Sequence, residues 1–508
     1  MFDLTRDLHE ESKKIEELAR TKYKIDFFDV EFLLVPSKFL NQIASHIGFP
    51  SRYRHWTHGL EYEKLKQRYD WGLGKIYELV INNDPAYAYL MQNNSLMEQK
   101  LVMAHVFGHS AVFKTNVYFS STRKNMIDVI ANNASKIDRF YRQYGTDEVE
   151  AFLDACISIE NHIDGFAPFI KREDQQMNLQ ADDVEPVPPK ILCDEHLDMF
   201  INPQKDLDKK KADMIEKLKK KPGFPARPQK DLLLFLLQNA PLKKWQEEIL
   251  AIIREESYYF NPQRQTKILN EGFASYFHFR MMTEDILDGA DVVDFSLDHS
   301  GTLRRSPYTM NPYYMGFTLL RDIEDRYNRG RFGPRYESCT NDYQKTNWNE
   351  PGTDGYQKLM EIMAIDNDYS LIDKYFTEDF CEKHEFYKYE FNQKSKVYEV
   401  GSRDFGAIKN QILDQLSNTG IPYIVVVDGN FGNRNELLLL HKHEFDLNLQ
   451  FAYDTLKNIS FIWKRPVHLI TMYEDEYKIL SYGGDSTLSE QALKEHAEDL
   501  YKSHHARL

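Results

Sequence analysis

At roughly 150 residues per domain, a chain of 508 residues has the length for two to four domains. Its 31 Tyr and 32 Phe can fill a large core, and its charged fraction of 28% is that of an ordinary soluble protein. The net charge of −15 excludes a general nucleic-acid binder, which needs a basic face to displace counterions from phosphates; a local basic patch stays open.

The four cysteines, Cys156, Cys193, Cys339 and Cys381, stand far apart and form no C-x-x-C. That spacing suits a reducing compartment and provides no disulfide framework. The N-terminus, Met-Phe-Asp-Leu-Thr-Arg-Asp, leads into charged helical sequence without the order of a signal peptide. Apolar runs such as Leu232–Leu237 and Ile424–Val427 are far too short to span a bilayer. The expectation is a soluble cytoplasmic protein with no membrane span.

In chain order, residues 1–20 predict an amphipathic helix, 28–35 a strand, 37–46 a helix, 60–70 charged helical sequence and 76–82 a strand before the turn at Asn83-Asp-Pro. Ser95-Leu-Met-Glu98 is a capping-box sequence opening a helix over 96–113. Helices are expected at 124–143 and 146–162. Residues 171–229 turn to Glu, Asp, Lys and Pro, the composition of a linker or surface excursion. Helices return at 231–238, 242–259 and 263–282, with Pro262 suited to a helix start. Residues 312–328 predict a helix, 329–352 a Gly-, Asn- and Arg-containing loop, and 353–376 mostly helix. From about 384 the period becomes two: hairpins at 387–400 and 422–441, each followed by a helix, then strands at 466–472 and 476–482 closing the chain. The fold class is α+β. Regions 1–170 and 230–380 are expected to pack together as a large, mainly helical, zincin-like unit, with a small α+β domain over 384–508.

His105 and His109 lie four residues apart in Leu101-Val-Met-Ala-His-Val-Phe-Gly-His. On a helix they point the same way about 6 Å apart, the spacing by which zinc enzymes place two imidazoles. The same spacing also fits two core histidines hydrogen-bonded to carbonyls. Gly108 lets another backbone or a ligand come close. Downstream, Asn270-Glu-Gly-Phe-Ala-Ser-Tyr-Phe-His places Glu271 and His278 two turns apart on one face. Ala274 and Ser275 between them leave room for another helix. The segment resembles the one by which aminopeptidase-type gluzincins present their third, carboxylate zinc ligand. Alternatively, Glu271 is a buried ion-pair partner of Arg264 or Arg280. His105, His109 and Glu271 are therefore the candidate metal ligands, and Zn²⁺ the candidate ion.

One residue departs from that pattern. Where a gluzincin carries its general base, directly after the first His, this chain has Val106. A hydrolase would need another proton carrier, and the candidates are His278, Glu160, His162, Tyr313 and Tyr314. Arg54-His-Trp-Thr-His58 mixes aromatic and polar groups that could line a cleft or anchor packing. His441 and His443 share a face at the end of a strand, where exposed histidines are common. No P-loop, strand-linked G-x-G-x-x-G or G-x-S-x-G elbow is present.

Taken together, Arg54-His-Trp, Lys75-Ile-Tyr-Glu-Leu-Val-Ile-Asn-Asn-Asp-Pro, Ala104-His-Val-Phe-Gly-His, Asn270-Glu-Gly-Phe-Ala-Ser-Tyr-Phe-His and Asn311-Pro-Tyr-Tyr-Met-Gly-Phe resemble the SpoVR (stage V sporulation protein R-like) family, from near the N-terminus through the α+β tail. The resemblance implies a link to sporulation and the spore cortex or, in other bacteria, to stress responses. It implies a PrkA-type serine kinase and a YeaH/YhbH-type protein as partners. It supplies no catalytic residues. Two functions follow as expectations: a zinc-dependent peptidase or amidase, or a non-catalytic regulatory or scaffold protein with a degenerate or structural metal site.

Overall fold

The computed structural model describes residues 3–70, 78–170, 224–305, 309–350, 352–393, 395–483 and 497–505. The chain is mostly helical with small β-sheets, α+β overall. Most of the expected linker, residues 171–223 with Cys193, lies outside the described residues. The other three cysteines are free thiols. Among the described residues, no helix is long and apolar enough to cross a membrane.

Two compact units form, one from residues 1–151 and 255–421, the other from 152–254 and 422–508. The first begins with helix α1 (Arg6–Thr21), strand β1 (Val30–Val35), and helices α2 (Ser37–Ser45) and α3 (Trp56–Asp70). Strands β2 (Glu78–Ile81) and β3 (Ala86–Met91) follow. They make a three-stranded sheet in the order β1-β3-β2, with β1 parallel to β3 and β2 antiparallel to it. Helix α4 (Leu96–Thr115) starts at the capping box that the sequence announces: Ser95 Oγ accepts from Glu98 N–H, and the Glu98 carboxylate accepts from Ser95 N–H. Every residue from Val102 to Phe113 is buried, as expected of a helix apolar on all sides. Helix α5 (Met126–Tyr144) comes next, and α6 (Thr146–Ser158) carries the chain into the second unit.

The second unit holds α7 (Leu232–Asn239) and the first part of α8 (Lys244–Gln265), which returns the chain to the first unit. Pro262 lies inside α8 rather than at a helix start. The break falls at Thr266, whose hydroxyl donates to the Pro262 carbonyl at 2.8 Å. Helix α9 (Lys267–Met281) follows, ending in a short π-helical turn, Met282–Ile286. Helix α10 (Val292–Thr302) was not expected from the sequence pattern. Helix α11 (Pro312–Asn328) opens as Asn311-Pro predicts: the Asn311 side chain accepts from the N–H groups of Tyr313 and Tyr314. Helices α12 (Gly355–Ile365), α13 (Asp368–Tyr375) and α14 (Phe405–Leu416) and the lone hairpin β4 (Lys388–Asn392) and β5 (Val397–Ser402) also belong to the unit, with short helices at Glu378–Lys383 and, within the stretch expected to be a loop, at Gly333–Glu337 and Asp342–Thr346.

In the second unit, β6 (Tyr423–Phe431), β7 (Glu436–Lys442), β8 (Val467–Tyr473) and β9 (Glu476–Tyr482) form one sheet in that order. The pair β7–β8 is parallel because α15 (Leu449–Trp463) crosses between them. The strands do not close the chain; α16 (Ala497–His505) packs on the sheet. Gln229, at the end of the expected linker, exchanges backbone hydrogen bonds with Val426 and so extends the sheet edge.

Candidate metal centre

Helices α4 and α9 meet where both lack side-chain bulk. A Cβ on Gly108 would stand 2.7 Å from Ala274 Cα, and a Cβ on Gly272 would stand 2.7 Å from Gly316 Cα in α11. Backbone approaches this close exclude any larger residue. They bring one face of α4 and one face of α9 into contact, so the residues that flank the small ones, His105, His109 and Glu271, confront each other.

The three residues are between 3% and 5% exposed. Glu271 Oε2 lies 3.5 Å from His105 Nε2 and 3.5 Å from His109 Nε2. Their ligand-type atoms all lie within 4.8 Å of one another. Among the described residues, Glu271 Oε2 makes no hydrogen bond, whereas Oε1 accepts from the Lys267 ammonium at 2.6 Å. The ion-pair partner of Glu271 is thus Lys267, one turn earlier; Arg280 pairs with Glu284 and Glu324.

Behind the triad, each ligand ring is held by its other nitrogen. His109 Nδ1 is 3.0 Å from Asn270 Oδ1, a neighbour of Glu271 on α9. His105 Nδ1 is 2.8 Å from His278 Nδ1. With Nδ1–H donating in both cases, both Nε2 lone pairs face Glu271, the tautomer a metal ligand needs. The His278 ring uses its second nitrogen on His299 Nδ1 at 3.0 Å. Sequence reasoning missed His299; the signal available was a histidine in a pattern, Phe295 to His299, that puts both on one face of a helix.

Protonation follows from the surroundings. Burial raises the Glu271 carboxyl, but the charge that His109 and His105 carry when protonated, together with the Lys267 ammonium, outweighs it and holds it well below the usual range; once the rings are neutral, the Lys267 ammonium is the cation left on the carboxylate. Burial, with His105 next to it, pushes His109 down to about 4. Burial, with His105 and His299 beside it, holds His278 far below its ordinary value. Neutral imidazoles and an ionised carboxylate are the forms that bind a cation.

The start of α9 has no cap of its own. Its exposed backbone donors are met from α13: Asp368 Oδ2 accepts from Ile268 N–H and Oδ1 from Leu269 N–H, both at 2.8 Å. A carboxylate at a helix N-terminus also complements the macrodipole. Complete burial nevertheless pushes the Asp368 carboxyl up to about 7.

The remaining candidates are distributed differently. Tyr313, in the first turn of α11, has its ring 6.2 Å from that of His105 and nearly parallel to it. The Tyr314 hydroxyl is 2.9 Å from His384 Nδ1. Glu160 and His162 belong to the second unit. Trp56 is 56% exposed with its ring 5.7 Å from that of His55, while His55 is buried with Nδ1 on the Thr57 hydroxyl. His441 is fully buried rather than exposed, its Nδ1 on the Thr471 hydroxyl, and His443 pairs with Asp446.

These features define an α+β protein with a buried two-histidine, one-carboxylate group suited to a metal ion. A family model described as "SpoVR like protein" matches residues 3–421, and the chain belongs to that family. The match ends with the first unit at Ile421, short of the tail that the sequence resemblance had included. The chain is also similar to "Uncharacterized protein YcgB" of Escherichia coli (strain K12), at 31% identity over 329 residues. That similarity covers 61% of this chain and 62% of the relative, less than two thirds of its length. No solved structure matches.

Proposed function

We propose that His105, His109 and Glu271 hold a divalent ion, that the ion is zinc, and that the protein is a gluzincin-like, zincin-type hydrolase of the peptidase or amidase class. The observation that carries this reading is Glu271 Oε2, without a hydrogen bond among the described residues and 3.5 Å from each of two imidazole nitrogens. Two donors bound to one tetrahedral zinc stand about 3.4 Å apart, and two imidazoles with a carboxylate leave the fourth position open for water or substrate.

Zinc in such a site polarises a carbonyl and lowers the pKa of a bound water toward about 7. The chain supplies the rest. Asn270 and His278 orient the two ligand rings, and Lys267 takes the outer oxygen of Glu271 so that the inner one faces the imidazoles. Burial keeps bulk water from the group. Val106 is buried and apolar, so no carboxylate follows the first histidine. Tyr313, beside His105, takes the part of proton donor or oxyanion partner in this scheme. Family membership suggests the setting: spore cortex formation or stress adaptation, with a PrkA-type serine kinase and a YeaH/YhbH-type protein as partners, acting in the cytoplasm on soluble precursors or on protein.

Elemental analysis of protein purified without chelators tests the first step. Roughly one zinc per chain is expected for a three-ligand site, with at least a tenfold loss in folded His105→Ala. A metal-free wild type, or undiminished metal in the variant, overturns the assignment.

Val106 also favours a second reading, in which the metal is structural and the protein regulates or scaffolds. Complementation with Glu271→Gln at wild-type abundance separates the two. Full rescue supports the scaffold, and loss of function in a folded variant supports a working centre.

A further inference from the structure

Three imidazoles lead in a line from the triad to a surface helix. His105 Nδ1 is 2.8 Å from His278 Nδ1, and His278 Nε2 is 3.0 Å from His299 Nδ1. His299 rides on α10, whose hold on the protein is narrow. Phe295 is the one buried residue of α10; it packs with Met97 and Met282. Val293 and Leu297 on the outer side are each 66% exposed. The His299 ring lies flat against Phe295 at 5.5 Å and nearly perpendicular to Phe317 at 5.1 Å. Phe295 and the His299 imidazole are two of the side chains that seat the helix, the Asn311 amide also donates to the Thr302 carbonyl at its end, and the imidazole is bonded toward the candidate metal centre.

A hydrogen bond between two neutral imidazoles needs N–H on one ring and a lone pair on the other, so the tautomers along the line are coupled. A metal on His105 Nε2 requires the lone pair there and leaves the proton on Nδ1. His278 then accepts at Nδ1 and donates from Nε2 to His299 Nδ1. No ring changes its charge. A cation on Nε2 also draws electron density from the ring, making Nδ1–H a stronger donor, and the next bond in the line strengthens in turn.

We propose that His278 and His299 are positioning residues that hold His105 from behind and transmit occupancy of the metal centre to α10, so that metal loading seats this helix more firmly. The inference rests on the metal reading above and adds a coupling between that site and the surface.

Hydrogen–deuterium exchange of the full chain, with zinc chloride added or chelated, tests it without any activity assay. Zinc is expected to slow exchange over Val292–Thr302 about fivefold, the effect of one strengthened hydrogen bond. His299→Phe keeps an aromatic ring among Phe279, Phe295 and Phe317 but removes the acceptor. At saturating zinc it should lose that protection. His299→Asn, which returns an acceptor near the position of Nδ1, should recover part of it. Binding is followed separately by isothermal titration with zinc. If zinc binds to the wild type and α10 exchange does not change, the coupling is overturned and the metal reading stands. Full protection in folded His299→Phe overturns it as well. If the wild type binds no zinc, both fall. The wild-type comparison needs no variant to fold.

Discussion

Glu271 uses its two oxygens differently, a division that a group able to hold a metal ion would show and an ordinary buried ion pair would not. Oε1 is satisfied by Lys267, while Oε2 stands equidistant from two imidazole nitrogens. A simple ion pair would use the carboxylate on one cation and leave the histidines to bond carbonyls. Asn270 tests the orientation argument at the same scale. It accepts from His109 Nδ1–H, so Asn270→Ala frees the ring to turn or change tautomer. The expected loss of zinc affinity is about tenfold to a hundredfold, read by competition with a chromophoric chelator. Asn270→Asp keeps an acceptor and should bind nearly as well as wild type. Equal affinity in Asn270→Ala would show that the side chain only fills space.

Among the elements, the crossing of α4, α9 and α11 sets the geometry. Gly272 is packed against the Gly316 backbone, and Gly108 against Ala274. Neither glycine has a positive φ, so the requirement is space and not backbone conformation. Gly272→Ala would drive two helix axes apart, because the atoms in the way are main-chain atoms that no rotamer change can move. A loss of about 3 kcal/mol is expected, measured by urea denaturation, with zinc affinity falling in parallel. A variant as stable as wild type would mean the helices can separate freely. Gly108, Ala274 and Ser275 were legible in the sequence as places where something comes close. What comes close was not legible: Gly108 and Ala274 meet each other across two helices far apart in sequence, and Gly316, which meets Gly272, lies on a third helix that nothing local marks as the partner. The cap of α9 had the same character: Thr266 is a good N-cap type, but its hydroxyl is turned back to the Pro262 carbonyl and caps nothing, and the charge comes from Asp368, roughly a hundred residues on.

For the whole molecule, both units bury histidines in the neutral form. Burial pushes His58 down to about 3 and His299 down to about 4 in the first unit. In the second it pushes His162 and His441 down to about 4. Unfolded, each titrates near 6.5. Their contribution is complete above about 6.5, where the unfolded chain holds no extra protons, and it is lost as the pH falls toward the folded values. Thermal melts should therefore show a Tm that is flat above pH 7 and falls steadily from pH 6.5 to pH 5. A constant Tm over that range would contradict the neutral burial of these rings. The effect belongs to both units and does not depend on metal, so chelated protein should show it too.

The sequence by itself determined the local geometry. His105 and His109 share a helix face, Ser95 and Glu98 cap that helix, Asn311 and Pro312 open another, and Glu271 and His278 lie two turns apart. Each follows from 3.6 residues per turn and from side chains bonding to nearby backbone, and needs no distant partner. The tertiary structure decided which helix faces meet. His109 and Asn270 come from segments 161 residues apart, and only the close packing of small residues makes them neighbours. It also decided that α10 exists where its sequence, apolar on the exposed side and acidic along its length, gives no clear inner face, and so brought His299 to the end of the imidazole line. That the two histidines share a face was legible because helix geometry is local; that this face meets a carboxylate and its supports was fixed by packing, which is not.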